Sequence, residues 1–396
     1  MNPKPLVLFL ALALMAGGLF ATDSRMTALG YPYGVIRDDT DIHFFPGTIF
    51  KYNRGIYGEL YSNGDDWNWS LGANVPMKTN VFGLYLHLPS EIDMDEHLNY
   101  NSNLELYHKV QAYYGFAEKF ALGLAFGFDS AIEDYDSGSS KTRFVEKQQG
   151  QFVELKFGMS DEKLDLGAKV LYQGAKINEK IDNTSTDVAS YSGFGVDLGG
   201  RYFIQEDSML DLAIFGDLGY EALTDEYEPT GVKSTLKLAH SDINAAVGIG
   251  ANYKLAPGHS IIMTFKPIGV YSANVKDTNN FNNNVFKNTQ TYLTLPEYTL
   301  GVESRITKWL TGRVGARQNF GIWTWKDEAE LESNVDLHDI WSEYEADFDM
   351  NLGLAIKLDK FTIDTVFSKN FLHDGPAVIG GSTKGLNSQV SLKFEY

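Results

Sequence analysis

Histidine, serine and carboxylate side chains are the groups that could carry catalysis here, because the 396-residue chain contains no cysteine. Thiolate nucleophiles, thiolate metal sites and disulfides are excluded at once. The eight histidines, at positions 43, 87, 97, 108, 240, 259, 338 and 373, form no i, i+4 pair and no His-Glu-x-x-His pattern, so no dedicated zinc site is expected. His240, Ser241 and Asp242 bring together residue types of hydrolytic sites. Neighbours on a strand point to opposite faces, however, and the trio reads as accidental. Residues 327–349 hold ten carboxylates, Asp336, Asp339, Glu343 and Glu345 among them. Without the spacing of a calcium loop they read as a solvated acidic loop. Leu331, Val335, Ile340, Trp341 and Tyr344 recur in it at near-helical spacing, which predicts a short helix over the pore described below. With no nucleotide or redox motif, neither an enzyme nor a cofactor is expected.

The elements that must position these residues are strands. Phe and Tyr are abundant, at 25 and 22, and Gly outnumbers Pro by 38 to 11, a mixture suited to strands and turns. From Phe120 to Phe128 large apolar residues alternate with Ala and Gly. From Leu210 to Tyr220, Leu210, Leu212, Ile214, Leu218 and Tyr220 alternate with Asp211, Ala213, Asp217 and Gly219, and Phe348, Met350, Leu352, Leu354, Ile356 and Leu358 alternate with their polar neighbours. A helix would mix these sets on one face, so the period is that of a strand.

Tight polar turns fall around Lys78, Glu118, Asp161, Glu206, Pro257, Lys308 and Asp359, separated by longer acidic and Asn/Ser-rich stretches such as 129–150 and 323–347. Strands of roughly 10 residues joined by short turns at one end and long loops at the other are the layout of a transmembrane β-barrel. The prediction is an all-β fold: one antiparallel up-and-down transmembrane barrel over residues 51–396 with about 16 strands, or 14 if the first two merge. The short turns would be periplasmic and the long loops extracellular.

The face opposite the large apolar residues carries Lys109, Glu154, Lys169, Asp197, Arg201, Asp211, Asp217, Glu303, Arg305, Arg313, Arg317, Asp349, Lys357 and Asp364, among others. So many ions in a dry core would each cost several kcal/mol, on the order of what unpaired buried charges cost. A lumen holding water and cross-strand ion pairs accommodates them, so these residues are expected to line it. Aromatics flanking the tight turns, from Tyr114, Phe116 and Phe120 to Phe361 and Phe394, sit where a membrane interface is expected.

Residues 1–21 combine Lys4, an apolar run over 6–15 and small residues up to Ala21, and read as a secretory signal peptide. At the other end Val390, Leu392, Phe394 and Tyr396 alternate and finish on an aromatic, resembling the terminal strand that outer-membrane barrels present to their assembly machinery. Residues 22–50 are expected to form an amino-terminal periplasmic or plug segment. Ser24-Arg25-Met26-Thr27-Ala28-Leu29-Gly30, followed by Asp38-Asp39-Thr40-Asp41 and Phe44-Phe45-Pro46-Gly47-Thr48-Ile49, resembles the opening of FadL-like transport barrels and of the shuttle barrels of type IX secretion. Phe45 stands where those families have Asn. The resemblance implies that Asp38, Asp39, Phe44, Phe45 and Pro46 belong to a plug inside the barrel, and that the barrel transports or shuttles at the outer membrane.

The expected function is therefore passive or facilitated passage of small solutes, hydrophobic ones included, across the bacterial outer membrane. The alternative is a non-transporting barrel acting as adhesin, secretion accessory or anchor. Expected partners are outer-membrane lipid and lipopolysaccharide, the barrel assembly machinery and a small-molecule solute. A net charge of −19 argues against nucleic acid, whose phosphates would be repelled.

Overall fold

Period-two alternation, interrupted by short polar turns, gives sixteen strands in a computed structural model that describes residues 23–63, 66–86, 110–136, 143–181, 184–227, 236–279, 284–330, 336–367 and 389–396. The expected signal peptide lies outside the described residues, as do Lys109, Leu331 and Val335. The strands are β1 (Gly55–Asn63), β2 (Asp66–Met77), β3 (Asn80–Leu86), β4 (Val110–Phe116), β5 (Phe120–Asp136), β6 (Arg143–Ser160), β7 (Leu164–Ile181) and β8 (Thr184–Glu206). They continue as β9 (Leu210–Tyr227), β10 (Leu236–Ala256), β11 (His259–Asn279), β12 (Asn284–Arg305), β13 (Leu310–Glu330), β14 (Asp336–Leu358), β15 (Phe361–Phe367) and β16 (Gln389–Phe394). Each pairs antiparallel with its sequence neighbours, and β1 pairs with β16, from Ile56 opposite Phe394 to Tyr61 opposite Gln389, closing the barrel.

All seven expected turns join consecutive strands. Their chemistry is local: Asp161 accepts the backbone N–H groups of Lys163 and Leu164, Asp207 those of Met209 and Leu210, and Thr307 Oγ1 those of Trp309 and Leu310. These are side-chain substitutes for a turn's own hydrogen bonds. Two backbone donors bound to one carboxylate hold the Asp161 carboxyl below its ordinary pKa.

The long polar loops are largely replaced by strand. β5–β14 run 17 to 23 residues, whereas about 10 tilted residues cross an apolar band of ~25 Å. The hairpins therefore continue well past any membrane. Ile340, Trp341 and Tyr344 lie in β14, paired with β13, so the predicted short helix does not form at these positions. A spacing of three and four over a few residues was outweighed by ladder hydrogen bonds to the neighbouring strand. Among the described residues β5–β14 form a tall sector of the wall, and the described lengths of β15, β16 and β1–β4 are shorter.

The outer face is apolar along the turn half of the barrel: Leu122, Leu155, Leu198, Ile214, Leu218, Val247, Leu300 and Leu354 are all exposed. Tyr114, Phe116, Phe120 and Phe157 stack in sequence across β4–β6 at 5.9–6.3 Å, and Tyr202, Tyr253, Trp309 and Phe361 are exposed at the same end. An apolar outer band with an aromatic border is the surface of a barrel solvated by acyl chains. No helix of the described residues is long and apolar enough to cross a membrane.

Candidate functional site

Residues 23–52 fold as helix α1 (Asp23–Ala28), helix α2 (Asp41–Phe44) and a 3-10 turn (Pro46–Phe50), too short to be stable alone. Their stability comes from where they lie. Ser24 bonds Glu59 on β1 and Ser391 on β16; Asn74 on β2 bonds Tyr52. Ile49 packs on Gly83 of β3 and Gly115 of β4, and the 3-10 turn touches β5. Lys156 on β6 bonds the His43 carbonyl, and Asp165 on β7 and Arg201 on β8 hold Arg37 and Asp41. Further round, Gly34 meets Phe215 on β9, Val35 meets Gly250 on β10, and Met26, Leu29, Val35 and Ile36 share a buried cluster with Ile262 on β11. Arg25 pairs with Glu303 on β12, Gly30 abuts Ala316 on β13, Thr27 accepts from Asn351 on β14, and α1 packs on β15. A segment in contact with all sixteen strands of a closed cylinder lies inside it.

Glycines on the inner wall make this fit. A Cβ at Gly315 would overlap the backbone of Leu29, and one at Gly199 would overlap the Phe44 ring. The glycine runs visible in the sequence thus clear space for the segment.

Three charged junctions fasten it. Arg201, fully buried, donates to Asp165 Oδ2 at 2.8 Å, to the Ile36 carbonyl at 2.7 Å and to both oxygens of Asp41. Arg37 and Lys51 reach the same Asp165 at 3.1 and 3.2 Å, and Arg37 continues to Glu206 at 2.7 Å. Arg201 also lies 4.8 Å from the Phe45 ring centroid, and Arg37 4.0 Å from that of Phe203. At the second junction Arg25 bridges Asp38 and Glu303, each at 3.0 Å, and Glu303 passes to Arg313 at 2.6 Å and thence to Asp364. At the third, Ser24, Glu59, Gln389 and Ser391 form one hydrogen-bonded group, beside an ion pair of Lys393 with Asp39 at 3.2 Å. Buried charges tolerate this location only because they are paired; removing one partner of such a pair costs about 3–5 kcal/mol. Burial pushes the Asp39 carboxyl well up, with the adjacent Asp38 charge adding to it. Burial also raises Asp41, opposed by Arg201.

The expected residues divide by location. Asp38, Asp39, Phe45, Arg201, Glu303, Arg313 and Asp364 meet at these junctions. Pro46 packs on Gly158. Glu154 pairs with Lys156, Lys169 with Asp197, Asp211 with Lys254, and Arg317 with Glu297 at 3.8 Å and, in register, opposite Asp349. Asp217 shares the inner face with Asp211. Arg305 and Lys357 are exposed beside the turns. Val390, Leu392 and Phe394 alternate with the inward Ser391 and Lys393, Phe394 lies 4.6 Å from Phe361, and the Tyr396 hydroxyl donates to the Asn74 carbonyl. His240 and Asp242 share one face, 3.2 Å apart, with Ser241 on the other.

Sequence reasoning missed Arg25, Arg37, Lys51, Ser24 and Glu59. Three cations within residues 25–51, facing acidic inward positions, were the available signal. It also missed an apolar patch on the inner wall of β5–β9, loopward of the segment: Phe152, Leu171, Ile177, Tyr191 and Leu223 pack together, all at most 9% exposed.

No protein-family model matches the chain, and no curated protein does. Among solved structures it is similar to the toluene transporter TodX of Pseudomonas putida, at 11% identity and TM-score 0.39, over 95% of this chain and 96% of that one. It is similar also to CdiB from Acinetobacter baumannii, at 8% identity and TM-score 0.38 over 87% of this chain and 60% of that one. The outer membrane protease OmpT of Escherichia coli gives 8% identity and TM-score 0.27 over 71% of this chain and 98% of OmpT. At these values the likeness carries no argument about family, cargo or chemistry.

Proposed function

We propose that this chain is a bacterial outer-membrane channel for passive passage of small solutes, with residues 23–52 as a plug at its turn end. The observation that carries the reading is that this segment touches every strand and is fastened to β7, β8, β12 and β16 by buried ion pairs. A barrel serving only as an anchor needs no such internal closure, whereas a conduit does. Apolar residues around Phe152 and Tyr191 make the wall loopward of the segment locally non-ionic, which suits passage of hydrophobic solutes as well as polar ones. On this reading the partners are acyl chains and lipopolysaccharide outside, the assembly machinery acting on the terminal strand, and the solute within.

Planar-bilayer conductance tests it. The full chain should conduct little, and deletion of residues 23–49 should raise the current in discrete steps. An unchanged current, in a deletion variant that still resists unfolding in cold detergent, would favour a non-transporting barrel.

A further inference from the structure

On the tall wall, four neighbouring strands place aromatic or acidic side chains on one rung. Tyr271 of β11 is opposite Tyr292 of β12, which is opposite Trp323 of β13, which is opposite Glu343 of β14. One rung higher, Trp325 faces Trp341. These rings touch in an unbroken series: Tyr292 and Trp323 at 4.5 Å, Trp323 and Trp325 at 5.7 Å, Trp325 and Trp341 at 5.7 Å with 12° between planes. All share the strand parity of Gly315 and Gly353, which abut the inner segment, so the series faces inward. Trp323 lies thirteen positions beyond Leu310 at the turn end. At ~3.3 Å per residue and ~40° tilt that is ~33 Å up the barrel, past an apolar band of ~25 Å. The series therefore lines a vestibule open to water, and Trp341 is 43% exposed there.

The charge around it is one-sided. Asp327, Asp339, Glu343, Glu345, Asp347 and Asp349 share the inward parity of β13 and β14, and Glu345 accepts from the Trp323 indole N–H at 2.7 Å. Among the described residues on these two faces above Gly315, Arg317 is the cation. Indole faces attract cations through the ring quadrupole. Carboxylates alongside strengthen the same preference and repel anions.

We infer that this vestibule binds organic cations, ammonium-bearing solutes that lay alkyl groups on the indole series and direct charge to Glu343 and Glu345. The site is extracellular on the channel reading and rests on it for its purpose, yet binding in detergent requires no conduction. Calorimetry of the purified full chain with tetraethylammonium chloride, against sodium chloride at equal ionic strength and against maltotriose, tests it. Saturable heat with the ammonium salt alone is expected, weakened about tenfold or more in Trp323→Ala and in Glu343→Gln/Glu345→Gln, in line with one cation–π contact or two carboxylate charges lost. The exposed carboxylate variant covers the case in which the indole variant misfolds. Equal heats from sodium, saturation by maltotriose instead, or unchanged affinity in both variants would overturn the inference. Binding by the full chain when the variant lacking residues 23–49 also stays silent in a bilayer would reject the channel and keep the site; steps from that variant without binding by the full chain would do the reverse.

Discussion

The Ser391 hydroxyl, on the last strand, donates to the Ser24 hydroxyl, at the start of the inner segment, across 2.5 Å and 367 positions of sequence. Two oxygens so placed can be replaced by two sulfurs at bonding distance, and no other cysteine competes. Ser24→Cys/Ser391→Cys should therefore oxidise to one disulfide and lock the segment in place. Under conditions that open the wild-type channel, the oxidised form should stay closed and dithiothreitol should restore the current, read in a planar bilayer. Opening of the oxidised form would mean that the segment does not gate.

Arg201 is the cation on which the first junction depends. Arg201→Ala strands Asp165 and Asp41 without their main partner, at a cost of about 3–5 kcal/mol, and should expose residues 23–51 to protease while the barrel persists. Arg201→Lys should recover part of the loss, because an ammonium cannot donate to both carboxylates and the Ile36 carbonyl in one plane. Limited proteolysis followed by mass analysis reads both.

The raised Asp39 and Asp41 carboxyls make the seating of the segment pH-dependent. The seated state holds protons that the released state gives up, so it is favoured as pH falls from the raised values toward ordinary aspartate values near 4, roughly, and weakened as pH rises above them. Conductance should grow as pH rises from about 4, the ordinary aspartate value, and Asp39→Asn should flatten that rise. Growth in the opposite sense would contradict the assignment.

The outer band gives a test of membrane residence independent of transport. Ile214, exposed on the outer face four residues beyond the start of β9, should cost about 2–4 kcal/mol when changed to Arg, measured as lost refolding into lipid vesicles. Tyr344, 83% exposed on the tall wall, should accept Arg with no measurable loss. Equal costs at the two sites would remove the distinction between band and wall.

Most of this architecture was legible in alternation alone, because a barrel repeats one rule at every strand: Leu212 and Ile214 outward, Asp211 and Ala213 inward. Turns were legible because Asp161, Asp207 and Thr307 act on their own backbone. Strand ends were not. Nothing local distinguishes the polar residues of 323–347 in a loop from the same residues in a wall surrounded by water on both sides. The junction residues were hidden for another reason: Arg25 and Glu303 are separated by 278 positions, and only closure brings them together. Phe45 was visible as a departure from the FadL-like pattern, while its place beneath Arg201 depended on β8.

The group of Ser24, Glu59, Gln389 and Ser391 straddles the seam between the first and last strands. Its four members meet only once the earliest-made and latest-made strands have joined. A half-built cylinder therefore holds the inner segment by fewer than its three junctions, and the last of them forms in the act of finishing.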